Sequence, residues 1–109
     1  MSQAMDHKTV EQYILSMPGA RLDYPFCEGV AVYKAGNDKM FALVEEKSDT
    51  LRISLKCDPL LAETLREKYE SVMPGYHLNK KHWNTIVLSG QLSWPEVQDF
   101  VRHSYELVA

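Results

Sequence analysis

Residues Pro74 to Leu88 read PGYHLNKKHWNTIVL, and this stretch predicts a tight turn directly followed by a strand. The strand is predicted over Thr85 to Leu88, because β-branched residues dominate that run. No Asp or Glu occurs between Ser71 and Pro95, whereas Lys80 and Lys81 lie within it. The segment therefore carries +2 of a net charge of −3, which leaves −5 for the rest of the chain.

The residues before this stretch predict a strand followed by a helix. Leu51, Ile53 and Leu55 alternate with polar residues, which indicates a strand with one apolar and one wet face. The polar set is Arg52, Ser54 and Lys56. Asp58 followed by Pro59 is a strong helix start, because Asp caps free amides and Pro at the first position gives up no needed donor. Its predicted buried face is Leu61, Leu65 and Tyr69, and Met73, Pro74 and Gly75 end it.

The first half of the chain predicts a helix and a β-hairpin. Asp6 is the expected N-cap of the helix, which ends at Pro18 and Gly19. An irregular connector is expected from Ala20 to Glu28. The hairpin strands are Gly29–Lys34 and Met40–Glu46, joined by the turn residues AGND. The apolar stripe of the helix consists of Val10, Tyr13, Ile14 and Met17.

The last helix is predicted from a capping box, in which Ser93 precedes Glu96 by three residues. Strands joined by short turns imply an antiparallel sheet, and helices with single apolar stripes imply that they cover one face of it. We therefore expect residues 1–109 to form a single α+β domain with two layers, an antiparallel sheet with three main helices packed on one face. Whether His77 to Lys81 adds a short strand is left open by the pattern. The core-facing residues of the last helix are Val97, Phe100, Val101, Tyr105 and Val108.

Composition limits the class of protein. The chain has 109 residues with 45% hydrophobic and 25% charged residues, as in ordinary globular proteins. It has neither an apolar run that could span a membrane nor the apolar core of a signal peptide, so the expected location is cytoplasmic. Cys27 and Cys57 are far apart and are expected to be reduced thiols.

The residues favour neither a metal site nor an enzyme. Of the histidines His7, His77, His82 and His103, only His77 and His82 are close in sequence, and their spacing of five is not that of a helical pair, so no metal ligand and no cofactor are predicted. Cys27 or Cys57 with one of these two histidines has no local signature of a nucleophile. Glu45 and Glu46 would point to opposite faces of a strand and cannot share a proton.

The acid-free segment is the best candidate for a binding site. Lysines can contact phosphates, His77 and Asn79 can donate hydrogen bonds, and Tyr76 and Trp83 could stack on a base. The alternative is that Trp83 and Leu78 belong to the core and the lysines merely solvate a turn. The predicted nucleic-acid-binding residues are Tyr76, His77, Asn79, Lys80, Lys81, His82 and Trp83, with Arg52 and Lys56 from the wet sheet face.

The run MPGYHLNKKHWNTIVLSG from Met73 resembles the signature of the MmcQ/YjbR family of small bacterial proteins. Residues that match are His77, Leu78, Asn79, Lys80, His82, Trp83 and Thr85, and the likeness extends over nearly the whole chain. The resemblance implies a CyaY-like α+β fold, a DNA-binding role, no enzymatic activity and no cofactor. That fold is shared with frataxin-type iron binders, but their first helix carries a dense acidic ridge. Here the first helix has only Asp6 and Glu11, so iron binding is not expected.

Three functions remain open at this point. The first is a DNA-binding module. The second is a protein-interaction or regulatory module that uses the polar sheet face with Arg52, Ser54 and Lys56. The third, with the least support, is an enzyme or small-ligand binder in which His77, His82 and a cysteine would converge in a pocket. A monomer or a weak homodimer is expected in each case.

Overall fold

The computed structural model describes residues 6–26, 29–46, 50–75 and 78–109. Within them the sheet is antiparallel throughout, with the strand order β1-β2-β3-β4-β6-β5. The chain is an α+β protein, as predicted. Its elements are α1 (His7–Leu15), β1 (Arg21–Asp23), β2 (Val30–Lys34), β3 (Met40–Glu45), β4 (Arg52–Lys56), α2 (Pro59–Lys68), β5 (Val72–Pro74), β6 (Trp83–Val87) and α3 (Trp94–Val108).

Each helix begins at the cap that the sequence predicts. The Asp6 carboxylate accepts a hydrogen bond from the Thr9 amide at 2.8 Å. Asp58 accepts from the Leu60 amide at 3.1 Å. Ser93 and Glu96 form the reciprocal capping box. These contacts satisfy amides that have no partner within the helix.

The main core lies between the helices and one face of the sheet. Buried residues of all three helices join buried residues of β2, β3, β4, β5 and β6 in one cluster. The buried hydroxyl of Ser104 on α3 donates to the Phe41 carbonyl and accepts from the Lys56 amide, 2.9 Å away. It thereby joins α3 to β4 and to the bulged start of β3.

The opposite face of the sheet is not wet throughout, so that part of the prediction is wrong. Val32, Leu43 and Trp83 form a second buried cluster there, against which Met40 and Leu78 pack. Ser54, expected to be solvated, is only 8% exposed, and its hydroxyl lies 2.8 Å from that of Thr85. On β4 the exposed charge of Arg52 and the half-exposed charge of Lys56 lie at the two ends of the strand.

Two short edge strands differ from the predicted pattern. β1 lies in the connector that was expected to be irregular, and β5 occupies residues expected to end the preceding helix, which stops at Lys68. Between Leu78 and His82 the chain forms turns rather than a further strand. Of the helices in the described part of the chain, none has the length and apolar character needed to cross a bilayer.

Candidate nucleic-acid interface

A hydrogen-bonded turn joins β5 to β6 and presents the lysines. The Asn79 side chain accepts from the Lys81 amide at 3.0 Å, and the Asn79 carbonyl accepts from the His82 amide at 3.1 Å. The His82 carbonyl accepts in turn from the Cys57 amide at 2.7 Å. Asn79, predicted to donate to a ligand, therefore has its side-chain oxygen engaged in shaping the turn, as Asn commonly does.

Trp83 is part of the protein interior. Its side chain is 7% exposed and belongs to the cluster with Val32 and Leu43. A base can stack only on an exposed ring face, so the indole in this position does not serve as a stacking platform. The alternative interpretation of Trp83 and Leu78 as core residues fits the structure. Tyr76 and His77 lie outside the described residues.

Three lysines lie at this end of the sheet. Lys80 and Lys81 are exposed in the turn, and half-buried Lys56 lies opposite Trp83 in the β4–β6 register. Residues directly opposite in an antiparallel pair share a face of the sheet, so the Lys56 side chain lies on the same face as Trp83. Within the described ranges, no carboxylate lies within ion-pair distance of these three ammonium groups.

Other basic residues on this face are paired or distant. Lys34 contacts Asp23 at 3.2 Å, and Arg21 pairs with Asp38. Arg52 lies four residues from Lys56 along β4, roughly 13 Å away at the usual rise per residue. It faces Glu45 across the strand pair. The structure thus places Lys56 at the end of the sheet where the turn with Lys80 and Lys81 lies, and Arg52 at the other end of β4.

The environment of Cys57 opposes nucleophilic chemistry. The thiol is buried, and burial followed by the nearby Asp58 carboxylate raises the pKa of Cys57 to about 11. Cys57 and His103 line a cavity of about 10 Å³, which is comparable to the space of a single water molecule. The predicted pairing of Cys57 with His82 lies within the described residues, where the hydrogen bond between the two residues joins the Cys57 amide to the His82 carbonyl and does not involve the thiol. Cys27 and His77 lie outside the described residues, and so do the pairings that include either of them.

A cluster of ionisable groups that the sequence analysis missed lies at the other end of the sheet. His7 and Glu11 on α1 meet Glu46, which directly follows β3. The possible ligand atoms of these three residues all lie within 4.8 Å of one another. The spacing of His7 and Glu11, one helical turn, was a usable signal. The third member comes from a distant strand and has no local signal.

The chain matches known proteins over nearly its full length. The model of the YjbR family matches residues 15–107. The protein YjbR of Escherichia coli K12 is 37% identical over 95 residues, which cover 87% of this chain and 80% of the relative. The protein YbdF of Escherichia coli O157:H7 is 34% identical over 102 residues, which cover 94% and 83%.

Solved structures extend this similarity to the fold. The crystal structure of protein DR2400 of Deinococcus radiodurans, with a DUF419 domain, has a TM-score of 0.88 and 36% identity, and the match covers 93% of this chain and 76% of that one. A crystal structure of a Pseudomonas syringae protein has a TM-score of 0.82 and 30% identity, covering 96% of this chain and 100% of that one. Sequence and structure agree, and this chain belongs to the YjbR family.

Proposed function

We propose that this protein binds double-stranded DNA weakly, and with little sequence preference, through Lys56, Lys80 and Lys81. The observation that carries the proposal is the grouping of these three lysines, without an acidic partner among the described residues, at one end of the open sheet face. The segment from Ser71 to Pro95 adds no carboxylate of its own. Phosphate oxygens are the complementary ligands for such a group.

The character of the contact follows from the residues that are free to make it. Lysine contacts to phosphates position a protein on DNA but carry no sequence information. With Trp83 buried, the described part of the turn offers no exposed Trp, Tyr or Phe ring for stacking. Half-buried His82 and exposed Asn79 stand beside the lysines and can add hydrogen bonds to the backbone through their side-chain nitrogens.

The number of charges sets the expected strength. Three lysines that neutralise about three phosphates give a slope of roughly −2 to −3 for log K against log salt. Affinity is then expected in the range of ordinary non-specific binding, about 10⁻⁴ to 10⁻⁶ M at physiological salt. The net charge of −3 acts against binding by other parts of the surface.

Fluorescence anisotropy of a labelled duplex over a series of salt concentrations tests the proposal. The double variant Lys80→Ala with Lys81→Ala should bind more weakly to all sequences, and its salt slope should fall by about two. The matched control is Lys8→Ala with Lys68→Ala, which removes the same charge from exposed helical positions. The control should lose less DNA affinity than the Lys80, Lys81 variant, because it changes the net charge equally but keeps the proposed phosphate contacts. Equal losses in both variants would show a general charge effect and refute the lysine site.

A protein partner is the second candidate function, since Arg52 and Lys56 present exposed and half-exposed charges at the two ends of β4. The buried Ser54 between them offers no contact, so a partner would have to bridge both ends. Reversing both charges, Arg52→Glu with Lys56→Glu, should then abolish co-purification of that partner. Two results together would favour this function. The Lys80, Lys81 variant would still bind DNA, and the Arg52, Lys56 variant would lose a protein that co-purifies with the unmodified chain.

A further inference from the structure

The His7, Glu11 and Glu46 side chains form a compact set of nitrogen and oxygen ligands. The Nε2 atom of His7 lies 2.7 Å from Oε2 of Glu46 and 3.5 Å from Oε2 of Glu11. Despite this closeness, the Nε2 atom is buried and its contacts lack hydrogen-bond geometry, so it has no hydrogen-bond partner among the described residues. The ligand atoms around a tetrahedral ion with bonds of about 2.0 to 2.1 Å lie roughly 3.3 Å apart, which is within the spread of spacings seen here.

A second observation points to a ligand at the same place. The Tyr33 side chain on β2 is fully buried, and its hydroxyl approaches the Glu11 carboxylate without forming a hydrogen bond of regular geometry in the described residues. The carboxylates of Glu11 and Glu46 act electrostatically on this hydroxyl, so Tyr33 lies beside the cluster. A buried hydroxyl without a well-formed hydrogen bond destabilises the fold, so a native protein rarely leaves one without a use.

The carboxylate of Glu46 is held in place from outside. The exposed Tyr24 hydroxyl donates to Oε2 of Glu46 at 3.0 Å. The Glu46 amide donates to the Gly29 carbonyl at 2.7 Å, which fixes the backbone. Hydrogen bonds of this kind orient metal-binding carboxylates in known sites. The cluster therefore has supporting contacts as well as candidate ligands.

From this geometry we propose that His7, Glu11 and Glu46 bind one divalent transition-metal ion of the Zn²⁺ type. Imidazole together with carboxylates suits such ions, whereas Mg²⁺ prefers oxygen ligands alone and keeps several waters. The Tyr33 hydroxyl donates a hydrogen bond to a water that completes the coordination, and Tyr24 orients Glu46.

This site is independent of the proposed DNA contact. Glu46 follows one end of β3, and Lys56 on the neighbouring strand lies beyond the other end of the β3–β4 pairing. About five residues of strand separate the two places, which corresponds to roughly 15 Å. The two proposals can therefore fail separately.

Titration calorimetry of the full chain with zinc chloride tests the site. The unmodified chain should bind Zn²⁺ saturably at one per chain, and excess Mg²⁺ should not compete. His7→Ala and Glu46→Gln should each raise the dissociation constant by more than tenfold, and Tyr33→Phe by about tenfold or more. The Nε2 nitrogen resonance of His7 should shift on addition of Zn²⁺, which locates the ion. Because His7 is partly exposed and Glu46→Gln keeps the side-chain shape, both variants should remain folded, as thermal unfolding can verify.

The controls separate this site from adventitious binding. His103→Gln and Glu106→Gln remove one imidazole and one carboxylate elsewhere, and both should bind Zn²⁺ as the unmodified chain does. The Lys80, Lys81 double variant should also be unchanged. An absence of saturable binding, or affinity that His7→Ala and Glu46→Gln leave unaltered, would show that the cluster is an ordinary ion pair and overturn the proposal.

Discussion

The backbone of Gly75 lies directly against Trp83. The Gly75 amide donates to the Trp83 carbonyl at 2.9 Å, and a Cβ atom added to Gly75 would lie 2.7 Å from the Cβ of Trp83. Real Cβ atoms essentially never approach so closely. The turn between β5 and β6 therefore needs glycine at this position, and the conspicuous family signature is in part a packing requirement.

Replacing this glycine should destabilise the fold. We expect Gly75→Ala to lower the free energy of unfolding by about 1 to 3 kcal/mol, because β5 must move away from β6 to admit the methyl group. Urea denaturation measures the change. Gly36→Ala is the matched control, since an added Cβ there meets nothing within 4 Å, and its effect should be neutral or slightly stabilising. Equal effects of the two substitutions would contradict the close contact.

Trp83 should matter for stability and not for stacking. Trp83→Ala is expected to cost about 3 to 5 kcal/mol of unfolding free energy, because it empties the buried cluster on the open sheet face. Trp83→Phe keeps an apolar ring and should cost less. If the folded Trp83→Phe variant binds DNA as the unmodified chain does, the indole has no contact with DNA. A selective loss of DNA binding at unchanged stability would show that Trp83 leaves its cluster in the complex.

Ser104 should be among the most sensitive polar positions. Its fully buried hydroxyl bonds to backbone groups of Phe41 and Lys56, so Ser104→Ala leaves both without this partner. An unmade buried hydrogen bond costs about 1 to 3 kcal/mol, and we expect a total loss of at least about 2 kcal/mol in urea denaturation. Ser16→Ala, at an exposed serine, serves as the control and should change stability far less. Similar losses at both serines would refute this role.

Local signals account for what the sequence analysis predicted correctly. Asp6, Asp58 and the pair Ser93 and Glu96 cap helices through residues two or three positions away, so their effect is visible in a short window. The hairpin of β2 and β3 was equally local. These elements define the α+β class without knowledge of long-range contacts.

The incorrect predictions concern features that form only through contacts with residues far away in sequence. β1 and β5 have three residues each, too few to show a period, and each forms because it pairs with one longer neighbour. The burial of Trp83 depends on Val32 and Leu43 of β2 and β3, which lie far away in sequence. Ser54 lies between Leu43 of β3 and Thr85 of β6 in the strand register. In the same way, Glu46 joins His7 only when β3 packs beside α1. Lys80 and Lys81 are adjacent in sequence, so their proximity needs no structure, whereas the separation of Arg52 from them depends on strand register.

The capping box should give stability a defined dependence on pH. Hydrogen bonds from Ser93, first from its backbone, lower the pKa of Glu96 below its usual value of 4.5. A carboxyl whose pKa is lower in the folded state stabilises the fold above its unfolded pKa, and this contribution is lost as pH falls through the folded pKa. Glu96→Gln should therefore be less stable than the unmodified chain near neutral pH, with a smaller difference at about pH 3. Thermal unfolding at the two pH values checks this, and a difference that grows on acidification would contradict it.

Cys57 should react slowly with alkylating reagents. Its pKa of about 11 leaves almost no thiolate at neutral pH, and the side chain is buried. Peptide-resolved mass spectrometry after iodoacetamide treatment should show little modification of Cys57 in the native protein and full modification in urea. Rapid native labelling at neutral pH would show that the thiol is exposed by local opening.

The two edges of the sheet have a consequence for the behaviour of the protein at high concentration. An unpaired edge strand is a template on which another chain can add backbone hydrogen bonds and begin to polymerise. Here one edge is β1, only three residues long and charged at Arg21 and Asp23, and the other is β5, equally short and closed by Pro74, which has no amide hydrogen to offer. Neither edge gives an incoming strand more than a few hydrogen bonds, so the fold is protected against edge-to-edge aggregation even though inner strands such as β2 and β6 are rich in β-branched residues.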